Sequence, residues 1–160
     1  MNTIPRKFAM RGKKVQLDEV VGVAAVRGKG HAASDWGPLE QIAPELAIPS
    51  IRAFEAAGWS IVPRKAAIDG AKIYLRSNGR AALGTDRVTV RISENRSDQE
   101  GRNLLSSRGF TVVERLKLAS NLYSVTIPPG IDCLEAAQSL ATADDVEFAE
   151  PELIEVISHR

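Results

Sequence analysis

The chain has 160 residues, 44% of them apolar and 26% charged, enough to build one ordinary core or two small ones without a disulfide or metal staple. Lys plus Arg (21) nearly cancels Asp plus Glu (20), a formal charge of +1, so the overall balance pulls the protein toward neither nucleic acid nor an anionic membrane. The single cysteine, Cys133, excludes an internal disulfide framework, and no window reaches the apolar length of a membrane-spanning helix.

The opening residues, MNTIPRKFAMRGKK, carry basic charge but no apolar region behind it. The expectation is a cytoplasmic protein, or one whose secretion signal lies outside this sequence. In chain order, residues 7–10 and 14–17 read as two short extended pieces around Arg11-Gly12-Lys13. Residues 20–27, VVGVAAVR, read as one buried strand that stops at Gly28-Lys29-Gly30, and residues 28–37 form a loop. A short helical pattern spans residues 38–47, and a second helix begins near Ser50 with Ile51, Phe54 and Ala57 on one face, ending at Gly58. WSIVPR follows as a strand. AKIYLRS alternates as another, and Asn78-Gly79 is a two-residue hairpin signal into RAALGT.

From Arg87 the pattern becomes more regular. RVTVRI sets Val88, Val90 and Ile92 on one face and Thr89 and Arg91 on the other. Ser97-Asp98-Gln99-Glu100 is a capping box, which predicts a helix with Gly101, Leu104, Leu105 and Arg108 on one face and Gly109 as its left-handed stop. FTVVERL and NLYSVTI read as strands, the latter with Tyr123, Val125 and Ile127 inward and Pro128-Pro129-Gly130 breaking it. Asp132-Cys133-Leu134-Glu135 is a second capping box, opening a helix with Cys133, Ala136, Ala137, Leu140 and Ala141 on one stripe. A last strand follows Asp144-Asp145, with Val146 and Phe148 inward. The order βαββαβ predicts an α+β fold, a ferredoxin-like antiparallel sheet with both helices on one face.

An ungapped offset of 51 residues lays Gly58 over Gly109 and Gly79 over Gly130, with GWSIVPR over GFTVVER and KIYLRSNG over YSVTIPPG. This reads as a degenerate βαββ half-repeat before a complete unit, against the alternative of chance similarity between amphipathic hairpins. The expected division is an N-terminal half over 1–85, the complete unit over 86–157 and a tail over 158–160.

Chemistry-bearing motifs are sparse. His31, Ser34 and Asp35 have the side chains of a nucleophilic triad, but a triad is assembled from separate segments, so a solvated loop is the plainer reading. His159 has no second ligand at metal spacing, and Gly28-x-Gly30 lacks the rest of a dinucleotide fingerprint. Cys133 in a first helical turn could have a lowered thiol pKa, though its apolar stripe favours a buried, inert thiol. The cluster Arg6, Lys7, Arg11, Lys13 and Lys14 has only Phe8 among it, too little for stacking bases. Asp144, Asp145, Glu147, Glu150, Glu152 and Glu155 read as an exposed rim that a partner could use. No cofactor or metal is expected.

The run from Leu104 to Ile157, ending VEFAEPELIEVI, resembles the N-terminal prodomain of subtilisin-like serine proteases over roughly residues 86–157. The resemblance lies in a helix ending at glycine, an apolar strand, a strand ending in proline, a Leu/Ala helix and the string Val146, Glu147, Ala149, Glu150, Pro151. RGKKVQLDEVVGVAAVR upstream also resembles the leader of some larger bacterial subtilases. The resemblance implies a ferredoxin-like prodomain that helps the protease fold and then inhibits it, the sheet packing on the enzyme and the tail lying in the substrate cleft. The motifs carrying the family's catalytic Asp, His and Ser are not in this sequence, so the chain is not expected to be an enzyme.

With both helices on one face, the other would present Thr89, Arg91, Thr111, Val113, Arg115, Ser124, Thr126, Glu147 and Ala149, a surface able to dock on another protein's helices or simply to stay solvated. Arg91, Thr111, Val113, Arg115, Ser124 and Thr126 are the expected protease-contacting sheet face. Glu150, Glu152, Ile154, Glu155, Val156, Ile157, Ser158, His159 and Arg160 are the expected protease-contacting tail, with folding ending at Glu150-Pro151; a longer edge strand is the alternative. The expected partner is the catalytic domain of a cognate subtilisin-like protease, with no nucleic acid and no membrane. The competing functional reading is a ferredoxin-like regulatory or assembly module that binds a small ligand or self-associates.

Overall fold

A computed structural model of the chain describes residues 3–10, 13–28, 46, 48–66 and 70–155. The fold is α+β with mostly antiparallel strand pairing. Its strands are β1 (Thr3–Met10), β2 (Lys13–Val20), β3 (Val23–Arg27), β4 (Trp59–Pro63), β5 (Ile73–Leu75), β6 (Ala81–Ile92), β7 (Thr111–Leu116), β8 (Leu122–Thr126) and β9 (Val146–Glu155). Three α-helices lie among the described residues, α1 (Ile48–Ala56), α2 (Asp98–Ser107) and α3 (Cys133–Ala141). Two compact units divide the chain: one takes Met1–Lys7, Gln16–Leu83 and the chain from Leu153, the other Phe8–Val15 and Gly84–Glu152.

In the first unit, the strand expected over residues 20–27 is two strands. Gly22 adopts φ +90°, a left-handed turn that ends β2 at Val20 and restarts the chain as β3 at Val23. The turn lets each strand take its own partner: β2 pairs β5 (Glu19 opposite Tyr74) and β3 pairs β4 (Ala25 opposite Ile61, Arg27 opposite Trp59). The short pieces expected at the start lengthen into the eight-residue β1 and β2. Helix α1 buries Ile51, Ala53 and Phe54, while Ala57, expected on the same face, is exposed beyond its end. Ile51 and Phe54 pack with Val20, Val23, Ile61, Ile73 and Leu83 into one core, against which Trp59 and Ile154 lie half-buried. The expected helix over residues 38–47 lies outside the described residues apart from the buried Leu46. The Asn78-Gly79 hairpin forms as expected, with Asn78 Oδ1 accepting from the Arg80 N–H at 3.0 Å and β5 pairing β6 through Ile73 and Leu83.

Strand β6 does not stop where the hairpin ends. It runs without a break from Ala81 to Ile92, so RAALGT and RVTVRI are one strand. In the second unit its Val88, Val90 and Ile92 are fully buried, as their alternation requires. The Ser97 capping box is complete: Ser97 Oγ accepts from the Glu100 N–H and a Glu100 carboxylate oxygen accepts from the Ser97 N–H, both at 3.1 Å. At Gly101 an added Cβ would sit 3.4 Å from Ile92 and from the Tyr123 hydroxyl, so this glycine lets α2 lie close on the sheet. Helix α3 is capped by Asp132, whose carboxylate accepts from the Glu135 N–H at 2.9 Å. It buries Cys133, Leu134, Ala136, Ala137 and Leu140; Ala141, expected on the stripe, is exposed and Leu134 takes its place. Ile127 falls just past β8 and is half-buried.

The repeat at 51 residues survives in local conformation and is lost in pairing. Gly58 (φ +91°) and Gly109 (φ +88°) both close helices ahead of β4 and β7, yet β4 pairs β3 while β7 pairs β8. The hydrogen-bond partner of a strand is set by its whole surroundings, which a local similarity does not carry.

Asn121 ties the second unit together at the entrance to β8. It has φ +54°, is 5% exposed, and its Nδ2 donates to the Ser93 carbonyl (3.0 Å) and the Arg96 carbonyl (2.8 Å). Asn is among the few residues that tolerate this backbone conformation, and here its amide also satisfies two carbonyls of the β6–α2 turn. Asn121→Ala should therefore cost about 2–3 kcal/mol in urea unfolding, and Asn121→Gly less, because glycine restores the backbone freedom but not the bonds. A cost below about 1 kcal/mol for the alanine variant would remove this role.

Candidate functional site

The candidate surface is built on the side of β6 and β8 away from the buried valines. The β6–β8 register sets Arg87 opposite Thr126, Thr89 opposite Ser124 and Arg91 opposite Leu122. Opposed residues in a pair project to one face, so Arg87, Thr89, Arg91, Leu122, Ser124 and Thr126 share it. Arg91 meets Glu94 at 2.6 Å and Glu147 of β9 at 3.4 Å. Contacts of β9 with β6 at Ser93–Asp145 and, further along, Thr85–Glu152 run the two strands in opposite directions.

Strand β7 carries a bulge that redistributes its side chains. Thr111 is opposite Thr126 and Val112 opposite Val125, but the next pair is Glu114 with Ser124, leaving Val113 unpaired and 45% exposed. Because one extra residue reverses the alternation, Glu114 and Leu116 join the open face and Arg115, opposite Tyr123, goes to the helix side. There its guanidinium lies 3.5 Å from Asp98. The expected face thus keeps Arg91, Thr111, Ser124 and Thr126; Arg115 leaves it, Val113 sits in the bulge, and Glu114 and Leu116 enter. Nothing in the sequence marks a bulge within TVVERL.

Ser124 lies deeper than an open face would place it, at 3% exposure. Glu152 covers it: the Ser124 hydroxyl contacts both carboxylate oxygens at 3.2 and 3.3 Å, and Thr89 Oγ1 donates to one of them at 3.1 Å. Thr85 Oγ1 donates to the Glu152 carbonyl at 2.7 Å. The expectation that folding ends at Glu150-Pro151 is corrected here, since β9 continues through Glu155 with Ala149 and Pro151 buried and Glu150, Glu152 and Ile154 half-buried. Phe148, expected inward, is half-buried. Within the first unit, Ile154 packs on the core and Glu155 pairs with Arg76. Val156, Ile157, Ser158, His159 and Arg160 lie outside the described residues, as do His31, Ser34 and Asp35.

The helix side of this sheet holds a second polar cluster. Asp98, at the start of α2, accepts from the Tyr123 hydroxyl at 2.5 Å and from Arg102 Nε at 2.9 Å. The Tyr123 hydrogen bond, then that of Arg102, holds the Asp98 carboxyl below its usual range. Burial first, then the Asp98 contact, pushes the Tyr123 phenol up to about 12. The Arg102 guanidinium lies 5.6 Å from the Tyr123 ring centre. Cys133 is buried and forms no disulfide. Among the described residues no group of three metal-ligating side chains forms, and no helix is long and apolar enough to cross a membrane. A face of hydroxyls, carboxylates and guanidinium groups joined to one another offers contacts to a macromolecule.

Residues 71–152, just over half of the chain, match the fervidolysin N-terminal prodomain family. The chain belongs to that family, a family of propeptides of subtilisin-like proteases, and its role is accordingly that of a non-catalytic propeptide. Neither the curated proteins nor the solved structures contain a match.

The Asp98–Tyr123 pair makes a pH prediction. The folded phenol holds its proton more tightly than an unfolded one of pKa near 10, so its stabilising contribution is complete below about pH 10 and is lost as the pH rises toward 12. Ultraviolet titration of a Tyr74→Phe variant, which leaves Tyr123 as the one phenol, should show tyrosinate forming with a midpoint about 12. Adding Asp98→Asn should lower that midpoint; an unchanged value would deny the contact.

Proposed function

We propose that the chain assists the folding of a cognate subtilisin-like serine protease and then inhibits it. The open face of the second unit docks on the enzyme and residues 156–160 enter the substrate cleft. The observation that carries this reading is the family match over residues 71–152. The strand pairings β9 with β6, β6 with β8 and β8 with β7, with α2 and α3 at the two crossovers, support reading the second unit as ferredoxin-like. Arg91, Thr111, Glu114 and Thr126 are then the side chains offered to the enzyme, and Ser124 acts from beneath Glu152. The competing reading, a freestanding ligand-binding or self-associating module, has no comparable support.

The extent of β9 supports an inhibitory tail that begins after Glu155. Glu152, Ile154 and Glu155 are held by the fold, so a chain cut after Pro151 loses structural contacts as well as its tail. A chain ending at Glu155 keeps them. Tested against a panel of purified subtilisin-like catalytic domains, including the one encoded nearest this chain's gene, the intact protein should inhibit at least one. The chain ending at Glu155 should unfold at nearly the same temperature and inhibit that enzyme at least about tenfold less, a loss of about 1.4 kcal/mol or more. An intact chain that inhibits none of the panel, and speeds the refolding of none, would end the propeptide reading. Undiminished inhibition by the shortened chain would exclude the tail.

A further inference from the structure

We infer that the turn between β7 and β8 is a cleavage site for an endoprotease whose pocket takes an apolar side chain, and that one cut after Leu118 opens the second unit. Such a cut acts on this chain itself and does not depend on the inhibitory reading above. Leu118 stands in the turn over residues 117–121 and is 90% exposed. Among the described residues of the second unit, no other Leu, Phe or Tyr is exposed. Lys117 and Ser120 beside it are exposed as well, and loop tips that meet solvent in this way are preferred sites of nicking.

An exposed side chain is not enough, because a protease grips several extended residues around the bond it cuts, so the segment must come away from the fold. β7 supplies those residues, and it is weakly held. None of its six residues is buried: Thr111, Val113, Glu114 and Arg115 are exposed, and Val112 and Leu116 are half-buried. It ends its run of strands, pairing with β8 on one side, and the bulge at Val113 interrupts that ladder. The contact of Arg115 with Asp98 joins two partly exposed groups and adds little. Beyond the turn the chain is fixed. Asn121 donates to the Ser93 and Arg96 carbonyls, and residues 122–125 are buried. β7 therefore lifts while β8 stays, which presents the chain before Leu118 in extended form.

As the peptide bond breaks, water gives its hydroxyl to the Leu118 carbonyl and its proton to the Ala119 nitrogen. The cut leaves β6, α2 and β7 on one fragment and β8, α3 and β9 on the other. Val88, Val90 and Ile92 are then buried on one chain, Tyr123, Val125, Leu134 and Leu140 on another, and the β6–β8 pairing joins separate molecules. Dilution works against a contact that has lost its covalent tether. One hydrolysed bond thus ends whatever binding the open face provides.

Chymotrypsin, which cuts after leucine and aromatic residues, is the probe. Brief digestion of the full chain, with fragments read by mass, should give Leu118–Ala119 as the first cut within residues 84–152. Leu118→Ser should slow cutting at that bond at least about tenfold, because the enzyme's apolar pocket loses its side chain, and should leave the unfolding temperature of the uncut protein unchanged. Cuts elsewhere are common to both proteins, so the native digest should unfold at a lower temperature than the Leu118→Ser digest. In hydrogen exchange on the uncut chain, the β7 amides bonded to β8 should exchange at least about tenfold faster than the β8 amides bonded to β6. An earlier cut elsewhere within residues 84–152, equal cutting in the two proteins, or β7 amides as slow as those of β8 would overturn the cleavage site. Loss of the fold in Leu118→Ser would show a packed side chain and overturn it too. Two digests of equal stability would overturn the opening of the unit.

Discussion

The constraint on which both units depend is the alternation of β6. Twelve residues in one extended run give Ala81 to Leu83 to pairing with β5, then Val88, Val90 and Ile92 to a buried face and Arg87, Thr89 and Arg91 to an open one. Three side chains removed entirely from water, each contributing about 1.5–3 kcal/mol, fix which way the strand faces. Turning the strand over would bury two guanidinium groups, at a cost no local contact could offset. The positions of Thr89 and of its partner Ser124 are therefore consequences of hydrophobic burial on the opposite side.

On that foundation the open face is organised by short polar contacts within itself. Glu152 lies over Thr89 and Ser124, and Arg91 bridges Glu94 and Glu147. A solvated sheet face has no need for a serine at 3% exposure, and an exposed ion pair alone stabilises by at most about 1 kcal/mol. The arrangement produces a surface whose side chains are already ordered by contacts with one another.

Much of this was legible in the sequence because the decisive signals are local. The Ser97 capping box, the left-handed glycines at 58, 79 and 109, the Asn78-Gly79 hairpin and the period-two pattern of RVTVRI each involve residues within a few positions of one another, and each is found in the fold. What could not be read depends on partners distant along the chain. The Val113 bulge is defined only by its opposition to β8, so Arg115 was expected on the wrong side of the sheet. The length of β9 depends on its pairing with β6 and on the core that holds Ile154, so Glu152, Ile154 and Glu155 were expected in a tail. Gly22 lay inside an apolar run whose composition suited a strand, which concealed the turn. Asn121 offered a signal in its residue type, but the two carbonyls it satisfies lie 25 and 28 residues earlier.

The irregularity in β7 also shapes the edge of the sheet. β7 pairs with β8 at one edge and stands at the end of its run of strands, the place where a flat extended segment would recruit a second molecule. The unpaired Val113 breaks the even spacing of donors and acceptors along that edge, and the charges of Glu114 and Arg115 come immediately after it on opposite faces. An incoming strand would meet a kinked template flanked by charge on both sides. The bulged β7 is thus a poor template for an added strand.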